Sequence, residues 1–302
     1  MAKTRIHTID LNFQGYHHAI ASYLVQNESG AVLVESGPGS TIGALESALS
    51  EHDLKLRDIS HVLLTHIHLD HGGAAGKLAQ LGAVIHVHPA GAPHLLNPDK
   101  LIGSATRIYG DNMNKLWGEF LPVPEEKLRV VNHEEQLEII GLKFIALHTP
   151  GHAEHHVSYL LEDTCFTGDV GGVRIPGYSY LRVPMPPPEL HFEKWYNTLS
   201  LLRKTGLKWI APTHFGIFDD PLWHLSQVEA SLKAAEKWLE TVMPEDPPIE
   251  ILREKFINWI ESESSNLEMD AAVKKDYDLA NPLGMSADGL QRYWRKYRAA
   301  PQ

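Results

Sequence analysis

The chain has 302 residues, 43% hydrophobic and 22% charged, which suits one large α/β domain with an appended unit and argues against general disorder. A formal net charge of −11 excludes a broad phosphate-neutralising surface, so no nucleic-acid partner is expected. The lone Cys165 forbids an internal disulfide, and neither a signal-like apolar core nor a run of about 18 apolar residues occurs; a cytoplasmic protein without a membrane partner is expected.

Ala19–Gln26 and Ala31–Glu35 read as strands joined by a turn at Asn27–Gly30. Ser40 is positioned to N-cap a helix running to about Glu51. His61–Thr65 reads as a buried strand, Gly73–Leu81 as a short helix closed by Gly82, and Ala83–His88 as a strand. Residues 89–127 mix Pro, Gly, Asn and charges with Tyr109, Trp117 and Phe120, which predicts an insertion with some helix. Strand patterns return at Leu137–Ile139, Leu142–Leu147, Val157–Leu161 and Thr164–Thr167. Residues 170–188, ending in PMPPP, predict a surface loop. A helix over Phe192–Lys204 stops at Gly206, and Leu207–Ala211 adds a last strand. Strands alternating with helices predict a layered α/β architecture over 1–220.

Beyond Asp220 the strands stop. Leu222, Leu225, Val228, Leu232, Ala235, Leu239 and Val242 make an apolar stripe at helical spacing, broken by PEDPP and followed by at least two more helices. Residues 221–302 thus read as a helical extension docked on the main unit. A homodimer surface is the alternative use of the stripe.

Histidine is over-represented, with 19 copies, and four short segments concentrate it or its partners. In LLTHIHLDHGG, His66, His68 and Asp70 are two apart and share one side while the backbone stays extended; His71 must point elsewhere. One segment can therefore serve two adjacent metals, His66 and His68 on one, Asp70 and His71 on the other, with Gly72 and Gly73 allowing a tight turn into the next helix. HTPGHAEHH places His152 on a Pro-Gly turn, CFTGDVGG places Asp169 at a strand end, and APTHFG places His214 just past the last strand. Each is an apolar run that ends in a ligand type, the arrangement a rigid sheet edge offers.

These residues resemble the metallo-β-lactamase superfamily: His66-x-His68-x-Asp70-His71 matches its HxHxDH motif, and TPGH, TGD and a late histidine follow in the family's order over about residues 15–220. The resemblance implies an αβ/βα sandwich of two mixed β-sheets flanked by helices, here with the C-terminal helical extension. It implies that His66, His68 and His152 hold one metal, that Asp70, His71 and His214 hold a second, and that Asp169 bridges them. Two divalent ions are expected, zinc first, with iron or manganese as alternatives. Two metals about 3.5–4 Å apart can hold a hydroxide and polarise an electrophilic oxygen, which makes a binuclear hydrolase the leading expectation. Asp70 is the catalytic candidate, passing the proton to the leaving group.

An ester, thioester or lactone of a small molecule is the expected substrate, by similarity to glyoxalase II and lactone-opening enzymes. The chain departs from both: the glycine-cysteine-glycine-arginine run of the first does not follow Asp169, and Gly172 stands where bacterial lactonases have tyrosine. A flavodiiron-type reductase, with Glu at His68, is disfavoured. The alternative is an oxidoreductase similar to the persulfide dioxygenases, with one iron on His66, His152 and Asp169. Around this set, His148, His155 and His156 could support the ligands or serve structure; His86 and His88 suit packing; His17, His18, Arg174, Tyr178 and Tyr180 have a lesser claim on the pocket. Cys165 is read as a small core residue.

Overall fold

Apolar side chains alternate onto both faces of the central strands, so the sheets need cover on both sides. The computed structural model describes residues 4–299 apart from 266 and 268; the expected units 1–220 and 221–302 run outside the described residues at 1–3, 266, 268 and 300–302. The first sheet contains, from edge to edge, β1 (Arg5–Asp10), β2 (Ala21–Asn27), β3 (Gly30–Val34), β4 (Ile59–Leu63), β5 (Val84–Val87) and β6 (Leu128–Val130). Its first two pairings are antiparallel and the remaining three parallel. The second sheet contains β7 (Glu135–Ile139), β8 (Leu142–His148), β9 (Val157–Leu161), β10 (Thr164–Phe166) and β11 (Trp209–Ala211). Only its β10–β11 pair is parallel.

On β2, Ala21, Tyr23 and Val25 face the second sheet and meet Phe144, Tyr159 and Phe166, while Leu24 between them joins the helix-side core. β3 repeats the pattern, with Val32 and Val34 between the sheets and Ala31 and Leu33 outside. The helices of the first half are α1 (Ile42–Ser50), α2 (Leu69–Gly72), α3 (Ala75–Gln80), α4 (Ala92–Leu96), α5 (Asp99–Tyr109) and α6 (Met113–Trp117). Leu45 of α1, Leu78 of α3 and Leu95 of α4 cover the outer face of the first sheet. On the other side come α7 (Phe192–Lys204), α8 (Pro221–Val242), α9 (Ile249–Glu263), α10 (Ala271–Ala280) and α11 (Leu283–Tyr293). Trp195 of α7, Leu232 of α8, Phe256 of α9 and Leu290 of α11 share one core with Leu160 and Ile210 of the second sheet. The result is the expected αβ/βα sandwich with C-terminal helices, and no helix among the described residues is long and apolar enough to cross a membrane.

The differences from the sequence reading have physical reasons. β1 was not foreseen because it is an edge strand with one fully buried apolar residue, Ile9; β6 is only three residues long. Ser40 does not cap α1: its hydroxyl donates instead to the carbonyl of Leu116, tying α1 to the insertion. The stripe on α8 is narrower than drawn, since Leu222 is 65% exposed while Leu225, Val228, Leu232 and Leu239 are fully buried. The 170–188 segment is irregular as expected but not a surface loop: Val173, Ile175, Leu181, Val183 and Met185 are buried.

That burial comes from the C-terminal helices, with Tyr277 and Ala280 of α10 packed on Val173 and Ile175. α11 approaches so closely that a Cβ added at Gly289 would collide with the carbonyl oxygen of Met185 and the backbone of Pro186. Helix propensity alone favours Gly289→Ala by nearly 1 kcal/mol. The collision reverses the sign, and a net destabilisation of about 1–2 kcal/mol is expected in denaturant unfolding. A stabilised variant would contradict this packing.

Candidate metal centre

Glu35 organises the site from behind. It follows β3, is fully buried, and receives three donors at one oxygen: the hydroxyls of Thr65 and Thr213 and the Nδ1–H of His71, the last at 2.9 Å. The Thr65 hydroxyl also accepts from His66 Nδ1 at 3.0 Å. One carboxylate thereby ties the ends of β3 and β4 to the turn after β11. After His68 the backbone does not stay extended. His68 has extended angles, but Leu69 opens the helical turn α2, with the His71 and Gly72 amides bonded to the His68 carbonyl. Asp70 and His71 are thus carried on a helix, which separates them from His66 and His68. Gly73 itself has ordinary helical angles; glycine is needed there because a Cβ would sit 2.8 Å from Pro38 Cα.

The other imidazoles are held the same way. His152 Nδ1 donates to the Pro184 carbonyl at 2.9 Å and His214 Nδ1 to the Ala19 carbonyl at 2.6 Å. With Nδ1 engaged outward, the Nε2 atoms of His66, His71, His152 and His214 turn inward. His68 is reversed, presenting Nδ1 at 2.9 Å from His66 Nε2 and 3.0 Å from His152 Nε2.

The ligand atoms gather into three overlapping groups, each within 4.8 Å: His66, His68 and His152; His66, His71 and Asp169; Asp70, His71 and His214. Asp169 spans them. Its Oδ2 lies 3.3 Å from His152 Nε2, and its Oδ1 lies 3.1 Å from His71 Nε2 and 3.3 Å from His214 Nε2. Gly168 permits this placement with φ +50°, in space where a Cβ would strike Thr65 Oγ1 and His156 Nε2. Among the described residues, His71 Nε2, His214 Nε2 and Asp169 Oδ1 are buried without a hydrogen-bond partner although they converge. Buried polar atoms are rarely left so. Nitrogen lone pairs and carboxylate oxygens aimed at a common point fit a cation, so the residues present suit divalent metals.

Electrostatics divides the cluster. Burial, then neighbouring imidazoles, holds His66 and His68 well below the usual histidine range, so they stay neutral donors of lone pairs. Burial pushes His71 down too, but Asp70, Asp169 and Glu35 together outweigh it and hold it well above that range. His214 is likewise raised to about 10, Asp169 and Asp70 overcoming burial. Burial pushes both aspartates up, yet His71 and the other imidazoles around them hold both well below the carboxylate range. This half of the cluster demands positive charge.

The sequence model of the metallo-beta-lactamase superfamily matches residues 16–214. The chain belongs to the metallo-β-lactamase superfamily. It is 26% identical to a metallo-beta-lactamase fold-containing protein of Sulfurisphaera tokodaii over 74% of this chain and 84% of that one. It is 31% identical to a hydroxyacylglutathione hydrolase of Shewanella halifaxensis over 48% of this chain and 43% of that one. The crystal structure of an archaeal superfamily protein from Sulfolobus tokodaii superposes with a TM-score of 0.68 at 22% identity, covering 95% of this chain and 98% of the other. The likeness in fold therefore continues through the C-terminal helices.

In this superfamily member a cavity of about 330 Å³ opens above His68, Asp70, His152 and Asp169, walled by α5, α6, the proline run 186–188 and the corner between α10 and α11. His155 also lines it, with Nε2 3.5 Å from Glu189. His156 stands behind His66, ring centroids 5.1 Å apart, bonded to Thr149. The remaining candidates lie elsewhere. His86 pairs with His61 at 2.9 Å; His88 stacks on His148, which bonds the Val131 carbonyl. His17 pairs with Asp10 and His18 packs on Phe215. Arg174 is taken by Asp220 and the Phe218 and Trp223 rings, and Tyr178 and Tyr180 join the cluster around Tyr277. Cys165 is fully buried, its thiol pushed up to about 12 by burial, as a core residue would be. Sequence reasoning missed Glu35, Thr65 and Thr213. The available signal was a charged residue closing the apolar run AVLVE, and a threonine directly before His66 and His214.

Proposed function

We propose that this chain is a hydrolase that holds two divalent metal ions and cleaves an ester, thioester or lactone carbonyl of a small substrate. The observation that carries the reading is the pair of ligand groups joined through Asp169 on the floor of the cavity. His66, His68 and His152 would hold one ion, Asp70, His71 and His214 the other, with Asp169 common to both. Zinc at such a site supplies Lewis acidity and lowers the pKa of water to about 7.

The protein supplies the rest. The imidazoles are already oriented by Pro184, Ala19 and the Glu35–Thr65 relay, so that each turns its other ring nitrogen toward the cluster. Asp70 is the cavity-facing carboxylate, its side chain 21% exposed against 5% for Asp169. It can accept the proton of the attacking water and return it to the departing oxygen or sulfur. The net charge of −11 supports a small-molecule substrate over nucleic acid, and the hydroxyacylglutathione hydrolase among the relatives supports acyl transfer to water. A cytoplasmic location completes the proposal.

The test is a panel of esters, thioesters, lactones and phosphoesters offered to zinc-reconstituted protein. Carbonyl substrates should turn over, and Asp70→Ala should slow them by about 10²–10⁴-fold. Turnover confined to phosphoesters would overturn the reading.

A further inference from the structure

We propose that the cavity over the metal cluster is a hydrocarbon chamber that receives the acyl chain of the substrate, and that the C-terminal helices complete its wall. This rests on the hydrolase reading for the bond that is cut, but the chamber is argued from its own walls. Leu101, Ala105 and Ile108 recur at i, i+4 and i+7 on α5, so one helical face presents them together. Across from this face stand Leu279, Met285 and the proline run 186–188. Ile108 is 59% exposed although large and apolar, as a residue at the mouth of an apolar chamber would be.

The polar groups of the extension's wall are already engaged. Asn281 Nδ2 donates to the Val183 carbonyl at 3.2 Å, and the Ser286 hydroxyl donates to Asn281 Oδ1 at 3.0 Å. The charged side chains away from the metal floor are Lys100 and Glu189, of opposite sign. Against the apolar face of this wall an alkyl chain needs no polar partner. The cavity's 330 Å³ is of the size that holds a small-molecule ligand. Because the same space opens onto His68, Asp70, His152 and Asp169, a chain lodged there puts its carbonyl end at the cluster.

The experiment uses the zinc-loaded full chain with straight-chain thioesters from acetyl to decanoyl. The expected kcat/KM rises by up to about fourfold per added methylene, then levels when the chamber is full. Calorimetry with straight-chain alcohols from butanol to decanol, which contain no bond to hydrolyse, should give the same increments in affinity and a negative heat-capacity change. Ala105→Phe should flatten both series; Ala105→Val, a smaller change, should shorten the optimum and serves if the larger variant does not fold. Flat series in the wild-type protein, or a preference for acetyl, would overturn the chamber. Chain-length-dependent alcohol binding without carbonyl turnover would uphold the chamber and overturn the hydrolase reading.

Discussion

Asp169→Ala is expected to remove hydrolysis by a factor on the order of 10³ or more and to lower bound metal at the same time. The reason is geometric. One carboxylate lies within 3.3 Å of the Nε2 atoms of His71, His152 and His214, so no other residue can replace it for both ligand groups. Removing it also leaves His71 and His214 without the charge that, with Asp70, keeps them high. Metal analysis alongside steady-state kinetics checks both effects on one preparation. An Asp169→Ala protein that is active without metal would contradict the assignment.

Glu35→Gln should have the second-largest effect, although Glu35 is not among the proposed ligands. Its Oε1 accepts from Thr65, Thr213 and His71 together, and its Oε2 accepts from the Thr65 amide. An amide offers only one acceptor oxygen and adds two donors, so in either orientation a donor ends up facing a donor. At least one buried group then loses its partner, at a cost of roughly 1–3 kcal/mol in unfolding free energy. The His71 ring becomes a poorer ligand, and metal affinity should fall about 10–100-fold in a chelator competition. Unchanged affinity would show that the carboxylate does not orient His71. Since Thr65 also holds His66, both ligand groups should weaken, so loss confined to one ion would argue against the shared clamp.

The metal-ligand candidates were legible because each lies at the end of an apolar run, where periodicity stops abruptly and a histidine or aspartate follows. The sandwich was legible for the same reason: β2, β3, β8 and β9 carry strong period-two or fully apolar patterns. What escaped depends on contacts far apart in sequence. Glu35 reads as the last residue of a strand, and its role appears only when Thr213, 178 positions away, reaches its side chain. The 170–188 segment carries every sign of a surface loop, and the packing of the helices from α7 to α11 buries it. Nor could local pattern show that an insertion of short helices and a C-terminal extension would meet over the metal cluster. α2 was hidden because one helical turn within LDHG leaves no periodic trace.

Metal stoichiometry on the purified chain tests the central claim most directly. Two divalent ions per chain, with carbonyl hydrolysis rising as the second ion is titrated in, is the predicted result. A single iron per chain accompanied by oxygen consumption would contradict it and place the chemistry on His66, His152 and Asp169 instead.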